Sequence, residues 1–168
     1  MGKAKSTVAL VRCSTYKREE VEIAVRTAIE LLGGFDEIFA QRGDLPELTQ
    51  ESELVLKPNL LAKAAPEKAV TTHPEVFRAV GKILQEEGYT NLRYGDSPGN
   101  PMLNTERTAE GCGIKQMADE LGIKAGDFEH GKSFEVPEGK AAKKFVLCNE
   151  IAKVVTDKDP AGGVINIC

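Results

Sequence analysis

The side chains that could bind a ligand lie in three short polar segments: Lys57-Pro58-Asn59, Thr72-His73-Pro74-Glu75 and Gly95-Asp96-Ser97. A lysine ammonium can pair with an anion, a neutral imidazole can accept a proton or bind a metal, and a carboxylate can bind Mg²⁺. Asparagine, threonine and serine side chains can add hydrogen bonds to such a site. The candidate ligand-binding residues are therefore Lys57, Asn59, Thr72, His73, Asp96 and Ser97.

The second of these segments, Thr72-His73-Pro74-Glu75, also has an explanation in local structure alone. Thr72 as N-cap and Glu75 at N3 would form a capping box, and Pro74 is tolerated in a first helical turn. That interpretation leaves His73 without a role. Because the positive end of a helix dipole favours a neutral imidazole, a His73 that faces a ligand stays an open alternative.

The other two segments allow the same pair of interpretations. Lys57-Pro58-Asn59 can be the end of a strand followed by an asparagine-stabilised turn. Because Lys57 directly follows an apolar run, it equally suits an anion site at a sheet edge beside a helix N-terminus. Gly95-Asp96-Ser97 has the composition of a turn. A metal held by His73 and Asp96 would have only two protein ligands, fewer than a convincing metal centre.

The elements that position these segments follow from hydrophobic periodicity. Strands are predicted at residues 7–13, 53–56, 92–94 and 164–167, with weaker candidates at 124–128 and 144–147. Helices are predicted at residues 18–32, 74–88, 108–121 and 150–155, and Arg78 is placed on the outward face of the second. This alternation predicts an α/β fold, a Rossmann-like three-layer α/β/α sandwich with a mostly parallel sheet.

A parallel sheet would bring the polar segments together. Right-handed crossovers place the carboxyl ends of all its strands on one edge, where ligands bind in such folds. Arg12-Cys13, Lys57-Pro58-Asn59 and Gly95-Asp96-Ser97 each follow a predicted strand. We therefore expect these segments to meet at that edge.

Bulk composition excludes several functional classes. The chain has 168 residues, 41% of them hydrophobic, and a formal net charge of −4. No basic stripe is present, so no nucleic-acid partner is expected. The apolar runs are far shorter than the ~20 residues that cross a bilayer, and no secretory segment is evident. The protein is therefore expected to be cytoplasmic and not an integral membrane protein.

Cysteine spacing argues against a cluster or a zinc ribbon held by this chain. The cysteines are Cys13, Cys112, Cys148 and Cys168, and none forms a C-x-x-C pair. No iron–sulfur cluster is therefore expected from this chain alone. The sequence also lacks a G-x-S-x-G elbow and an H-E-x-x-H pair, so classical hydrolase chemistry has no support and enzymatic activity stays open.

Five motifs occur in an order that points to a known family. They are Val-Ala-Leu-Val-Arg-Cys, Leu-Leu-Gly-Gly, Leu-Lys-Pro-Asn-Leu-Leu, Thr-Thr-His-Pro-Glu-Val and Gly-Asp-Ser-Pro-Gly. In this the chain resembles the DUF362 family of bacterial and archaeal proteins of unknown function. Many members carry a ferredoxin-like domain with C-x-x-C-x-x-C motifs and are labelled iron–sulfur proteins. The resemblance implies one DUF362-like domain over residues 1–168, truncated at its C-terminus relative to the family and without the ferredoxin-like domain.

Two functional hypotheses follow. The first is a domain that binds a small anionic ligand or a metal at the carboxyl edge of its sheet and is associated, through its relatives, with redox proteins. The alternative is a non-catalytic interaction module that docks on an electron-transfer partner. Residues 164–167 would then be an exposed edge strand that can pair with another chain, for example in a homodimer.

Overall fold

The structure, a computed structural model, describes residues 6–40, 45–99, 102–156 and 161–168. The strands of these ranges are β1 Leu54–Pro58, β2 Leu92–Tyr94, β3 Lys124–Ala125, β4 Gly131–Glu135, β5 Lys144–Cys148 and β6 Gly163–Ile167. The main sheet has four strands in the order β3-β2-β1-β6, and every neighbouring pair is parallel. An antiparallel hairpin of β4 and β5 lies outside this sheet.

Helices cover both faces of the sheet, so the predicted three-layer α/β/α class with a mostly parallel sheet is confirmed. The helices are α1 Arg18–Leu31, α2 Gly34–Ala40, α3 Pro74–Glu86, α4 Thr105–Cys112, α5 Ile114–Leu121 and α6 Asn149–Thr156, with a 3-10 turn at Pro66–Lys68. α1, α3 and α5 pack together as one layer, and α6 lies against β1 and β6. The predicted helix boundaries at residues 18 and 74 are the observed ones.

The centre of the core is β1, whose run of apolar residues is covered from both sides. Leu54 and Leu56 belong to the large cluster that includes Phe77 of α3, while Val55 packs with Val154 of α6 on the opposite face. Each of these three β1 side chains is fully buried. Because a strand buried on both faces needs apolar residues at every position, the run Leu-Val-Leu predicts this placement correctly.

Glycine ends or divides two of the helical stretches. Gly33 and Gly34 have φ of 92° and 82° directly after α1, as expected for a stop that needs left-handed backbone. Gly113 has φ of 85° and separates α4 from α5. The single helix predicted over residues 108–121 is therefore two helices, since a left-handed residue cannot continue a right-handed helix.

The prediction that Arg78 faces outward is wrong. Its side chain is only 3% exposed because α1 packs over this face of α3. The guanidinium donates to Glu75 at 2.7 Å and to Glu22 of α1 at 3.0 Å. The α3 helix is thus buried on two sides, and a charged residue between two helices is accommodated by paired carboxylates.

One strand prediction is wrong. Residues 7–13 form no strand with any described residue, and Val8 and Leu10 are 84% and 94% exposed. A strand exists only when its backbone groups pair with a neighbour, and no described strand pairs with this segment. The candidate at 144–147 is confirmed as β5, which pairs antiparallel with β4 outside the main sheet.

Candidate functional site

The segments that follow β1 and β2 meet at the carboxyl edge of the sheet. The Lys57 ammonium lies 2.6 Å from Asp96 Oδ1, and the Leu60 N–H donates to Asp96 Oδ2 at 2.9 Å. The Thr105 hydroxyl at the start of α4 donates to the Asp96 carbonyl at 2.8 Å. Asp96 therefore joins the ends of both strands to α4, and its carboxylate is mostly buried, while the Lys57 side chain remains 36% exposed.

Thr72 connects the ends of β1 and β6. The Asn59 N–H donates to Thr72 Oγ1 at 2.8 Å, and this hydroxyl donates to the Ile167 carbonyl at 2.6 Å. In the β1–β6 register Pro58 lies opposite Ile167, so the hydroxyl replaces the next direct backbone bond between the strands. Thr72 is 5% exposed, so its hydroxyl holds the two strand ends together.

This junction is the switch point of the sheet. From β1 the chain passes to β2 and then β3 on one side, whereas β6 lies on the other side of β1. Ligands of open α/β sheets bind outside the carboxyl ends of the strands at such a point. Lys57 and Asn59 at the end of β1 and Thr72 above it therefore occupy the place where the fold favours a site.

His73, and not Thr72, is the N-cap of α3, which corrects the capping box predicted from the sequence. Its Nδ1 accepts the Glu75 N–H at 3.2 Å, and Pro74 begins the helix. The imidazole stacks on Tyr16 with ring centroids 3.8 Å apart. Burial lowers the pKa of His73, against the opposing effect of Glu75 and Glu67. The ring is therefore neutral at pH 7, with its proton on Nε2.

The N-terminus of α3 offers no free donor for an anion. Pro74 has no N–H, Glu75 donates to the His73 ring, and Val76 and Phe77 both donate to the His73 carbonyl at 3.0 and 3.3 Å. The sequence-based expectation of an available helix N-terminus beside Lys57 is therefore wrong for α3. The cationic group at this part of the edge is the Lys57 ammonium.

Ser97 lines a groove at the same edge of the sheet, with a volume of about 370 Å³. Its hydroxyl donates to the Phe128 carbonyl at 3.1 Å, which ties the segment after β2 to the segment after β3. Asn104 and Arg107 of α4 line the groove, and Asn104 Oδ1 caps the helix by accepting the Arg107 N–H at 2.9 Å. These two residues were not predicted, although an asparagine directly before Thr-Glu-Arg is a recognisable N-cap signal.

The two predicted metal ligands are both engaged with other groups of the protein. Both oxygens of Asp96 are engaged by Lys57 and Leu60, and Nδ1 of His73 is engaged by Glu75. In the part of the chain that the structure describes, no group of three or more His, Cys, Asp or Glu side chains is placed to hold a metal ion. The donor set at this edge thus fits an anion better than a cation.

Comparison with known proteins places the chain among proteins of unassigned function. A family model described as "Domain of unknown function (DUF362)" matches residues 54–156. The Thylakoid-associated protein sll1697 of Synechocystis sp. is 32% identical over 126 residues, 75% of this chain and 36% of the relative. The chain thus spans about a third of that protein's length. No solved structure gives a significant match. No helix in the described ranges combines the length and apolarity needed to span a membrane.

Proposed function

The chain belongs to the DUF362 family of domains of unknown function, and from that premise we propose that it binds a small anionic ligand at the carboxyl edge of its sheet. The ligand class is a phosphate or carboxylate small enough to lie across the ends of β1 and β2. Lys57 provides the charge, and the exposed side-chain amide of Asn59 provides hydrogen bonds, while Ser97, whose hydroxyl donates to the Phe128 carbonyl, borders the groove. Thr72 and His73 are positioning residues that shape the loop above the switch point.

The observation that carries this proposal is the environment of the Lys57 ammonium. It is held at the sheet edge by a carboxylate that is itself fixed by the Leu60 N–H, and about a third of the side chain faces solvent. An ammonium has three N–H donors, and the Asp96 contact uses one of them. The remaining donors are available to an incoming oxyanion. Asp96 keeps Lys57 oriented and limits binding to ligands that can compete with a carboxylate.

Arg107 supports the same ligand class. Its side chain is exposed at the start of α4 and lines the groove beside Ser97. The first turn of a helix and an arginine both favour negative charge. A ligand with two anionic groups could therefore use Lys57 for one and the groove of Ser97 and Arg107 for the other. Monoanions would then bind more weakly than dianions.

The experiment is a calorimetric titration with inorganic phosphate, pyrophosphate and citrate, and with Mg²⁺ alone as the metal arm. We expect at least one anion to bind the wild type, and Lys57→Ala to weaken that binding about tenfold or more, because a charge-assisted contact contributes roughly 1.5–3 kcal/mol. Lys68→Ala is the matched control, since Lys68 is exposed in the loop before α3. Equal affinities for both variants would refute the site, and binding of Mg²⁺ that depends on Asp96 would redirect it to a metal.

A second candidate function is a non-catalytic interaction module that docks on an electron-transfer partner. It is supported by β6, which has a strand neighbour on only one side in the described part of the sheet. The name of the Synechocystis relative records association with thylakoids, which supports a docking role. A homodimer through β6 is the simplest form of this proposal. Sedimentation of the protein at rising concentration tests it, because a monomer at high concentration contradicts the homodimer.

The cellular compartment and the redox-associated role are also proposals. We retain the cytoplasm as the proposed compartment and a redox-associated role as the proposed context, both taken from the sequence and the family resemblance. Localisation by fractionation of the source cells measures the first directly. Recovery with the membrane fraction would replace the cytoplasmic proposal with peripheral membrane association.

A further inference from the structure

We propose that Glu53 and Glu150 share one proton, that this proton holds α6 against β1, and that α6 loosens from the sheet when rising pH removes it. Glu53 directly precedes β1, and Glu150 lies in the first turn of α6. The inference does not depend on the anion site, because neither residue belongs to that site. It assigns to the fold a pH-sensitive element of its own.

The Glu53 carboxylate lies at the contact of β1 with α6, and one of its oxygens lacks a donor. Its side chain is 10% exposed, and it faces the same side of the sheet as Val55, two residues on. Oε2 accepts the Lys153 ammonium at 2.6 Å, with Nε of Arg93 at 3.9 Å. Oε1 is buried and receives no hydrogen bond from any residue that the structure describes. Because an unpaired buried oxygen is costly, a further donor is expected at Oε1.

The Glu150 carboxyl group is placed to supply that donor. Its Oε2 accepts the Asp127 N–H at 2.9 Å. A Cβ atom at Gly126 would lie 2.4 Å from Glu150 Cγ, so the glycine leaves room for this side chain beside the segment after β3. The side chain of Glu150 forms a hydrogen bond with that of Glu53. Since two carboxylates can only accept hydrogen bonds, this bond requires a proton on one of them.

The surroundings favour keeping that proton on Glu150. Burial raises the pKa of Glu150, and the contact with Glu53 raises it further, against the opposing effects of the Asp127 N–H and the Lys153 ammonium. Glu53 is the better carboxylate of the two, because Lys153 and Arg93 both lie next to it. A neutral Glu150 that donates to a charged Glu53 therefore satisfies both side chains.

The other charged groups near α6 are engaged elsewhere. The Asp127 carboxylate accepts the Asn149 amide at 2.7 Å and lies 3.0 Å from the His130 ring. Of the remaining strands that contact α6, β6 has no charged residue, and the charged residues of β4 and β5 are exposed; they are Lys132, Glu135 and Lys144. Within the described ranges, the pair is therefore governed by its own proton and by the two cations beside Glu53.

Loss of the proton would act on a weakly attached helix. The apolar cluster beneath α6 is small and consists of Val55, Phe128 and Val154, with Cys148 and Ile151 at its margin. Two facing carboxylates in this contact repel each other and are poorly solvated. Because the folded pKa of Glu150 is raised, the stabilisation is complete below its ordinary value of 4.5 and is lost as pH rises through the folded pKa.

The test is hydrogen exchange of the Ala152 and Val154 amides of α6, measured by NMR from pH 4.5 to 8 and corrected for the intrinsic pH dependence of exchange. We expect protection to fall about tenfold per pH unit from 4.5 up to the folded pKa of Glu150 and then to level off. Each unit of difference between the two pKa values changes the opening equilibrium tenfold. Protection that stays constant in the wild type would overturn the inference.

Glu150→Gln is the diagnostic variant, because its amide keeps an oxygen for the Asp127 N–H and donates to Glu53 without titrating. This variant should lose the pH dependence of α6 protection. Glu138→Gln makes the same chemical change at an exposed position of the hairpin turn and should behave as wild type. A pH dependence that persists in Glu150→Gln would overturn the inference.

A second measurement observes the proton itself. Carbon-13 NMR of the Glu150 carboxyl should give a titration midpoint above 4.5 in the wild type. In Glu53→Gln the midpoint should move down, since an amide donor then faces Glu150 in place of a carboxylate. A wild-type midpoint at or below 4.5, or the same midpoint in Glu53→Gln, would show that the two residues share no proton.

Discussion

Lys57 and Asp96 form an ion pair of 2.6 Å across the carboxyl ends of two neighbouring strands. The β1–β2 register places Leu56 opposite Tyr94, so Lys57 and Asp96 follow that pair by one and two residues. The pair exists because the two strands are parallel and adjacent, which brings their ends to one edge. It connects the fold to the proposed function, since the same carboxylate fixes a backbone N–H and orients the cation.

Asp96→Ala should lower the free energy of unfolding by about 2 kcal/mol, since it leaves the buried Leu60 N–H without its acceptor. Asp119→Ala is the matched control, because Asp119 pairs with Lys115 on the exposed surface of α5 at 2.9 Å. That exposed pair should contribute far less, because solvent screens its charges. Urea denaturation measures both variants, and equal losses would contradict a structural role for the Asp96 carboxylate.

Thr72→Val should destabilise the protein by about 1–3 kcal/mol, because the partly buried N–H of Asn59 and the buried carbonyl of Ile167 both lose the hydroxyl between them. Thr72→Ser retains the hydroxyl and should cost clearly less. Chemical denaturation compares the two. If valine and serine were equally tolerated, the hydroxyl would not be what holds β1 to β6 at the switch point.

Thr108→Val should be neutral or stabilising, by up to about 1 kcal/mol. The Thr108 side chain is fully buried in α4, and its hydroxyl has no hydrogen-bond partner among the residues that the structure describes. Replacing that hydroxyl by a methyl group of similar size removes the cost of burying an unsatisfied polar atom. In the same denaturation experiment Thr72→Val should respond in the opposite direction, with a loss of stability. A loss of stability would reveal a partner for the Thr108 hydroxyl.

His73 should make stability dependent on pH in a mildly acidic window. Burial lowers its pKa below 6.5 in the folded protein, so its contribution is complete above pH 6.5 and is lost as pH falls toward the folded pKa. His73→Asn keeps an N-cap acceptor without a titrating ring. The difference in unfolding free energy between wild type and this variant should therefore shrink or reverse from pH 7 to pH 5. A constant difference across that range would show that His73 does not titrate as described.

Arg78→Met should cost about 3 kcal/mol, because it leaves the partly buried carboxylates of Glu22 and Glu75 without their buried partner. Lys82→Met is the matched control, since Lys82 also contacts Glu22 but is 37% exposed. That change should cost less than about 1 kcal/mol. Thermal or chemical unfolding separates the two, and a similar cost would mean that burial does not distinguish these contacts to Glu22.

Local sequence patterns were sufficient where the physical cause is itself local. The α1 and α3 helices begin at the predicted residues because apolar spacing, a proline in the first turn and a double glycine act within one or two turns. The Leu-Val-Leu run of β1 predicts burial on both faces for the same reason. Even the cap of α3 was misassigned by one residue, because threonine and histidine can both accept a helix N–H and only the loop path decides between them.

What the sequence could not determine depends on neighbours in space. Residues 7–13 have the composition of a strand, yet a strand needs backbone partners that another segment must supply. Arg78 is buried because α1 crosses its face of α3.

The sequence by itself determined the α/β class, the positions of most helices and strands, and the polar types at the strand ends. Only the tertiary structure decided which of these polar groups meet. Strand register brings Lys57 to Asp96, and the junction of β1 with β6 engages the hydroxyl of Thr72, while His73 turns to its own helix and to Tyr16. The physical reason is that periodicity encodes which face a residue presents, whereas distance between segments is set by how the layers pack.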